Sequence, residues 1–419
     1  MRVYVFAFSL GICAILASSR VCASAATQES VLYSFGGLDG AGPLSGIVPD
    51  GAGDFFGATV FGGTRAIGTI FEISPNPTGY SESVLYSFRG REDSEKPTGI
   101  VRDAEGNLFG FGAIGGAGAG GTVFELGARR IGGYRFRVLY DFGPDFVAFG
   151  PVGAPVLGKF GGLFGVTQGG GTGHAGIVFK LTPVGLTYTY STIYEFPGGA
   201  GGELPQAGLT SDPHGSIFGT TYYGGNLSGC SGGCGEVFEI TPTMNAYRER
   251  VLYRFQSFSD GAQPIGVLTV EPVTGDIYGT TEYGGTGQRG CGTVFRLAPQ
   301  GGGYVHTVLY SFNGGRDGCL PEGQIHIALN GDLFGTAYDG GLGFGVVYEL
   351  LPSGGTYTHR TLYEFLGPSH GIHDGALPEW TNLTADLSGA LYGSTRSGGA
   401  HVQCNDGNRG CGTIFKIIP

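Results

Sequence analysis

The sequence predicts an all-β protein: a seven-bladed β-propeller of four-stranded antiparallel blades, closed by pairing of the N- and C-terminal strands. Three observations predict it. An aromatic strand motif recurs seven times, each repeat holds four strand-like pieces, and the first and last pieces of the chain complement one another.

The aromatic motif reads Val31-Leu32-Tyr33-Ser34-Phe35. It returns at Val84–Phe88, Val138–Phe142, Thr192–Phe196, Val251–Phe255, Val308–Phe312 and Thr361–Phe365, with spacings of 53, 54, 54, 59, 57 and 53 residues. After it comes a turn rich in Gly and Asp that ends in Pro, as in Asp39-Gly40-Ala41-Gly42-Pro43. A short apolar strand such as Gly99-Ile100-Val101 follows, then a tight turn, Asp103 to Asn107. The next piece is Leu108-Phe109-Gly110, matched by Ile277-Tyr278-Gly279. The last is a Gly-Thr-Val-Phe piece, as in Thr122–Leu126, Thr293–Leu297 and Thr413–Ile417. Four short strands joined by tight turns make an antiparallel unit, and radial repetition of that unit is a propeller. Apolar residues on both faces of most strands fit sheets stacked face to face. Gly within strands lets neighbouring backbones approach closely.

An open solenoid would need atypical capping repeats, and neither end has one. The chain instead starts with a lone aromatic strand, Glu29 to Phe35, and ends with a fourth piece, Thr413 to Ile418. If the aromatic strand is the outer strand of each blade, the N-terminal one completes the last blade and removes the open edges.

Arg2, the apolar run Val3 to Leu16 and Ala23-Ser24-Ala25 read as a secretory signal over residues 1–25, leaving residues 26–419 as one seven-repeat domain. The run falls short of the ~20 residues that span a bilayer. The expected location is secreted, periplasmic or at the cell surface. Glycine, 86 of 419 residues, recurs at fixed places beside Tyr, Phe, Val and Leu, so it marks turns rather than disorder. The formal charge of −11, with no basic stripe along the sequence, argues against nucleic acid and anionic lipid as partners. No membrane span and no cofactor are expected, and the chain is read as a monomer.

Six cysteines follow the signal, an even number in an exported chain. Cys234, Cys291 and Cys411 share one repeat position. The expected disulfides are Cys230–Cys234, Cys404–Cys411 and Cys291–Cys319, the last joining one blade to the turn entering the next; a Cys-x3-Cys zinc site is the alternative.

In a propeller, the loops that enter the blades and those between second and third strands share one face. After the second strand the repeats read Val60-Phe61, Ala113-Ile114, Gln168, Tyr222-Tyr223, Glu282-Tyr283, Tyr338-Asp339 and Arg396-Ser397. The residue after the entry Pro reads Leu44, Thr98, Val156, Gln206, Ile265, Glu322 and Glu379. Tyrosine faces, carboxylates and an Arg in blades four to seven suit a carbohydrate or other polar ligand, and Glu322 with Glu379 could act as acid and base on a glycosidic bond. The same residues also read as ordinary polar loop positions. His370, His373 and His401, with Asp374, are the residues closest to a metal-ligand set. Asn226-Leu227-Ser228 and Asn382-Leu383-Thr384 match glycosylation sequons.

The Leu-Tyr-Ser-Phe strands, the turns Asp260-Gly261-Ala262 and Asp374-Gly375-Ala376, Leu108-Phe109-Gly110, and Gly290-Cys291-Gly292-Thr293-Val294-Phe295 resemble the Gloeobacter–Verrucomicrobium ("GloVer") tandem repeat of secreted proteins of the choice-of-anchor type. The resemblance covers the mature chain and implies a propeller-like fold and an exported location. It also implies a C-terminal sorting anchor; this sequence departs there, ending at Pro419 with its last strand. It implies no catalytic residues. Two functions follow as expectations: a module binding a glycan, cell-surface component or protein, or a secreted glycoside hydrolase or polysaccharide lyase.

Overall fold

A computed structural model describes residues 27–143, 148–244, 246–287, 289–368, 373–401, 404 and 409–419. Seven antiparallel blades surround a central axis. Blade 2 shows the plan: an inner strand Glu95–Arg102, a second Leu108–Ile114, a third Thr122–Ala128 and an outer strand Tyr134–Asp141. Blade 7 is made from both chain ends. Its second and third strands are Leu391–Thr395 and Thr413–Ile418, and its outer strand is the N-terminal Gln28–Ser34, paired so that Glu29 faces Ile417 and Val31 faces Phe415. Circular closure therefore follows the expected pairing.

Within a blade, the Gly of Leu-Phe-Gly makes room for the Phe of Thr-Val-Phe. A Cβ on Gly110 would lie 2.4 Å from Phe124 Cζ. The rings thus lie flat over the second strand and fill the space between sheets: Phe71, Phe124, Phe179, Phe238, Phe295 and Phe415 are all fully buried. Blade 6 has Tyr348 at this position, also fully buried.

Between blades, one junction recurs seven times. The residue before the entry Pro donates its N–H to a carbonyl of the preceding blade: Gly42 to Cys411, Lys96 to Ile67, Gly150 to Gly120, Leu204 to Ala175, Gln263 to Cys234, Leu320 to Cys291 and Leu377 to Phe344. The bond from Gly42 to Cys411 ties blade 1 to blade 7 and completes the ring. Each donor has a left-handed backbone, including the non-glycines Lys96, Leu204, Gln263, Leu320 and Leu377 with φ between 50° and 59°. Sterics ahead of a Pro favour extended backbone, and a non-Gly left-handed residue costs on the order of 1–3 kcal/mol. The inter-blade bond and the Pro ring offset that cost. The Pro packs on the glycine that opens the preceding blade's third strand: a Cβ on Gly292 (φ +95°) would sit 2.7 Å from Pro321 Cδ.

The outer strands meet in a second ring. The Tyr of each aromatic motif touches a residue of the next blade's outer strand. Tyr86 stacks on Phe136, Tyr140 on Tyr190, Tyr253 on His306 and Tyr310 on His359, with ring centroids 4.1–4.7 Å apart. Glu249 and Glu29 hydrogen-bond Tyr194 and Tyr363, and Glu82 faces Tyr33. Burial pushes the Glu29 and Glu82 carboxyls up to about 7 and the His306 imidazole down to about 4. Many of these tyrosines also donate to the turn aspartate of their own repeat, as Tyr33 does to Asp39 (2.6 Å) and Tyr253 to Asp260 (2.6 Å). That bond accounts for Asp in the turn after the motif.

The three expected disulfides are present: Cys230–Cys234, Cys291–Cys319 and Cys404–Cys411. Cys291–Cys319 reinforces the junction between blades 5 and 6. Among the described residues no helix is long and apolar enough to cross a membrane.

Candidate functional site

The residues after the entry Pro of blades 2 to 6, Thr98, Val152, Gln206, Ile265 and Glu322, line one cavity on the axis. In blade 3 that residue is Val152, not Val156, because Pro151 is the proline that pairs with Thr167 as Pro43 pairs with Thr59. The local Pro-Val at Pro155-Val156 misleads a reading by sequence.

On the four blades from 4 to 7 the rim carries neighbouring polar groups. Tyr222 of blade 4 donates its hydroxyl to Glu282 of blade 5 at 2.7 Å. Glu282 and Glu379 both raise the pKa of Glu322, which stands between them on blade 6. Glu379 on blade 7 is ion-paired with Arg396. Glu322 is 9 % exposed, and its carboxyl is pushed up to about 9: burial is the largest cause, then Glu379, then Glu282, with Arg396 opposing. It therefore carries a proton at neutral pH and can donate a hydrogen bond. Tyr283 is pushed up to about 12 by burial, its hydrogen bond to Glu282 and the nearby charges. Tyr338 is raised by burial, then by Glu379. The Tyr223 ring meets the Tyr222 ring edge-on at 4.8 Å.

Asp339 stands apart from this run. Its Oδ1 accepts the Gly340 N–H at 2.7 Å, its backbone pairs with Cys319, and it perturbs none of Glu322, Tyr283 and Tyr338. The opposite side of the rim is more apolar. Val60 is buried, Phe61 lies 5.9 Å beneath the Lys96 ammonium, and Ile114 is exposed.

Beneath the rim the axis widens into a cavity of about 210 Å³ lined by Glu322, Gln206, Gln324, Trp380 and Asn382 among others. Trp380 has a left-handed backbone (φ 48°), and its buried indole N–H has no partner among the described residues. Reasoning from the repeats passed over Trp380, which follows the aligned position by one residue. Its signal was that it is the chain's one Trp. The sequon Asn382 is half-buried, lines this cavity and accepts the Gln324 N–H at 3.3 Å.

Of the histidine group, His370 lies outside the described residues. His373 and His401 are exposed, and Asp374 is taken up by Tyr363, Leu366 and Gly375. Among the described residues no group of three or more His, Cys, Asp or Glu is placed to hold a metal.

Solved structures share the fold at low identity. A puromycin-hydrolysing peptidase of Mycobacterium tuberculosis superposes with a TM-score of 0.50 at 12 % identity, over 85 % of this chain and 49 % of its own length. This chain therefore spans about half of that peptidase. A putative oxidoreductase (glucose dehydrogenase) of Thermus thermophilus gives 0.46 at 16 % identity, over 78 % of this chain and 98 % of its own. Likeness at such identities concerns the fold alone. No curated protein matches the sequence. The Gloeobacter/Verrucomicrobia repeat profile matches residues 21–230 and 222–419. The aromatic strands, Asp turns and Gly-Thr-Val-Phe pieces that build the seven blades run through both matched spans, and the chain belongs to the Gloeobacter/Verrucomicrobia repeat family.

Proposed function

We propose that this is an exported propeller that binds a polyhydroxylated ligand, a glycan or a glycan-bearing surface component, at the rim formed by blades 4 to 7. The observation that carries the reading is the run Tyr222–Glu282–Glu322–Glu379–Arg396, which places one protonated acid among hydrogen-bonding carboxylates and tyrosines. Sugars present hydroxyls that both donate and accept, and a C–H face that packs on part-exposed tyrosine rings such as Tyr223 and Tyr338. The apolar side of the rim, at Phe61 and Ile114, would take the less polar edge of the same ligand. The signal-like run Val3 to Leu16 and the three disulfides support export.

One observation favours a second reading, cleavage of a glycosidic bond. A carboxyl that holds its proton at neutral pH beside a second, Arg-paired carboxylate is the division of labour that glycosidases use. Glu322 would be the proton donor and Glu379 the base or nucleophile. A polysaccharide panel, scored for retention and for released reducing ends, tests both. Retention without products, reduced at least tenfold in Glu322→Gln and Arg396→Ala, supports binding. Products lost in Glu322→Gln and Glu379→Gln support cleavage. Neither retention nor products across the panel removes both readings.

A further inference from the structure

The end of the propeller opposite the rim is formed by the turns between first and second strands and between third and fourth. Several of these turns carry one bulky apolar side chain at the tip, held in solvent. In blades 2 and 3 they are Ile131 (96 % exposed), Phe160 (96 %) and Leu186 (89 %). Ile131 tips the turn after Thr122–Ala128, Phe160 the turn after Ala148–Leu157 and Leu186 the turn after Ile177–Val184. Arg137 of blade 2 donates to the Leu186 carbonyl at 2.6 Å, which binds that tip beside the hairpin bearing Ile131.

Phe160 is the most telling of the three. Its backbone is left-handed (φ 58°, ψ 32°), a conformation that disfavours a bulky residue, and its ring gains no burial in return. Both features are unfavourable at one residue unless the ring packs on a partner.

Charge indicates what that is. The same turns carry Arg129, Arg130 and Lys159, all exposed, against Asp103 and Glu105 on the neighbouring turn of blade 2. The matching turn of blade 4, beside Phe160, carries Asp212, and those of blades 5, 6, 7 and 1 carry Glu271, Asp276, Asp332, Asp386, Asp50 and Asp54. Net charge over the whole chain, −11, argues against anionic lipid, but cations gather locally around three of the apolar tips, which the net charge does not show. Single apolar side chains on separate polar turns do not form the continuous patch that a folded partner would bury. A fluid acyl boundary can close around each tip, while anionic headgroups meet the cations.

We propose that this end of blades 2 and 3 docks on an anionic lipid bilayer, inserting Ile131, Phe160 and Leu186 and directing the rim on the far side away from the membrane. The surface is independent of the ligand rim. Flotation of the full chain with phosphatidylcholine vesicles, with and without phosphatidylglycerol, tests it. Binding is expected to need phosphatidylglycerol and to weaken in raised salt. Phe160→Gly should weaken it about tenfold or more while leaving thermal stability equal or higher, because glycine accepts the backbone. Arg129→Ala and Arg130→Ala should each weaken it about fivefold. Leu329→Ser and Leu387→Ser, in the acidic sector, should leave it within about twofold. The proposal is overturned if the chain stays with the unbound fraction at low salt, or if Phe160→Gly binds as the parent does. It is equally overturned if the tips instead hold a dimer in solution, seen as a mass that Phe160→Gly halves with no vesicle retention in either form.

Discussion

Tyr348→Phe is expected to stabilise the protein by about 1–2 kcal/mol. The other six blades place a phenylalanine at this position, so the space is already shaped for one. The Tyr348 side chain is wholly buried, and its hydroxyl has no hydrogen-bond partner among the described residues. Such a hydroxyl costs about 1–3 kcal/mol of lost hydration. Removing it forfeits only the dispersion contacts of one oxygen, a few times ~0.1–0.2 kcal/mol. The net gain follows from the difference. With an unfolding entropy of about 2.1 cal/mol/K per residue over a chain this size, it raises the melting temperature by about 1–3 °C. Scanning calorimetry at neutral pH reads that shift. The reciprocal change, Phe71→Tyr in blade 1, should cost a similar amount, because Phe71 lies over Gly57 as Tyr348 lies over Gly335. A loss of stability in Tyr348→Phe would refute the reasoning, since it would mean that the hydroxyl is satisfied.

Four further outcomes follow from the junctions and outer strands. Gly292→Ala should destabilise by about 2–4 kcal/mol, because its Cβ meets Pro321 and φ is left-handed; urea denaturation measures it. Selective loss of Cys291–Cys319, which closes a sequence separation of 28, should cost about 3–4 kcal/mol on the same assay. Glu82 binds a proton more tightly folded (about 7) than unfolded (near 4.5), so its contribution to stability falls as pH rises from about 4.5 to 7. Glu82→Gln should therefore melt above the parent at pH 8, with the advantage vanishing near pH 4. His306 has the opposite sign: its pKa falls from 6.5 to about 4, and stability is lost as pH drops across that window. His306→Phe, which copies Phe136 of blade 2, should hold its melting temperature in acid better than the parent does.

Much of the architecture was legible because each blade is written locally. The aromatic motif, the Asp turn, Leu-Phe-Gly and Gly-Thr-Val-Phe each answer to a contact within one blade or with the next, so their recurrence counts blades. The pairing of Cys291 with Cys319 was readable for the same reason, since both sit at a junction that repeats. The rim was legible only in part. Glu282, Glu322, Glu379 and Arg396 come from loops on three successive blades, and the Pro register indicated which side chains face the axis. That register failed at Pro155-Val156, where two prolines compete. It also passed over Trp380, and it grouped Asp339 with Tyr338 although the two face different surroundings.

The amino-acid sequence by itself determined how many blades form, in what order their strands run and which ends meet, because those features depend on periodic contacts between near neighbours. Only the tertiary structure decided what ring closure brings together. Equivalent positions some 40 to 60 residues apart become adjacent around the axis. Carboxyls that are unremarkable along the chain then share one rim, and the buried Glu322 among them is pushed up to about 9. By the same closure, arginines and a lysine in a net acidic chain gather at one sector of the opposite end. Electrostatic and desolvation energies depend on distance in space and on burial, and neither is visible in one dimension.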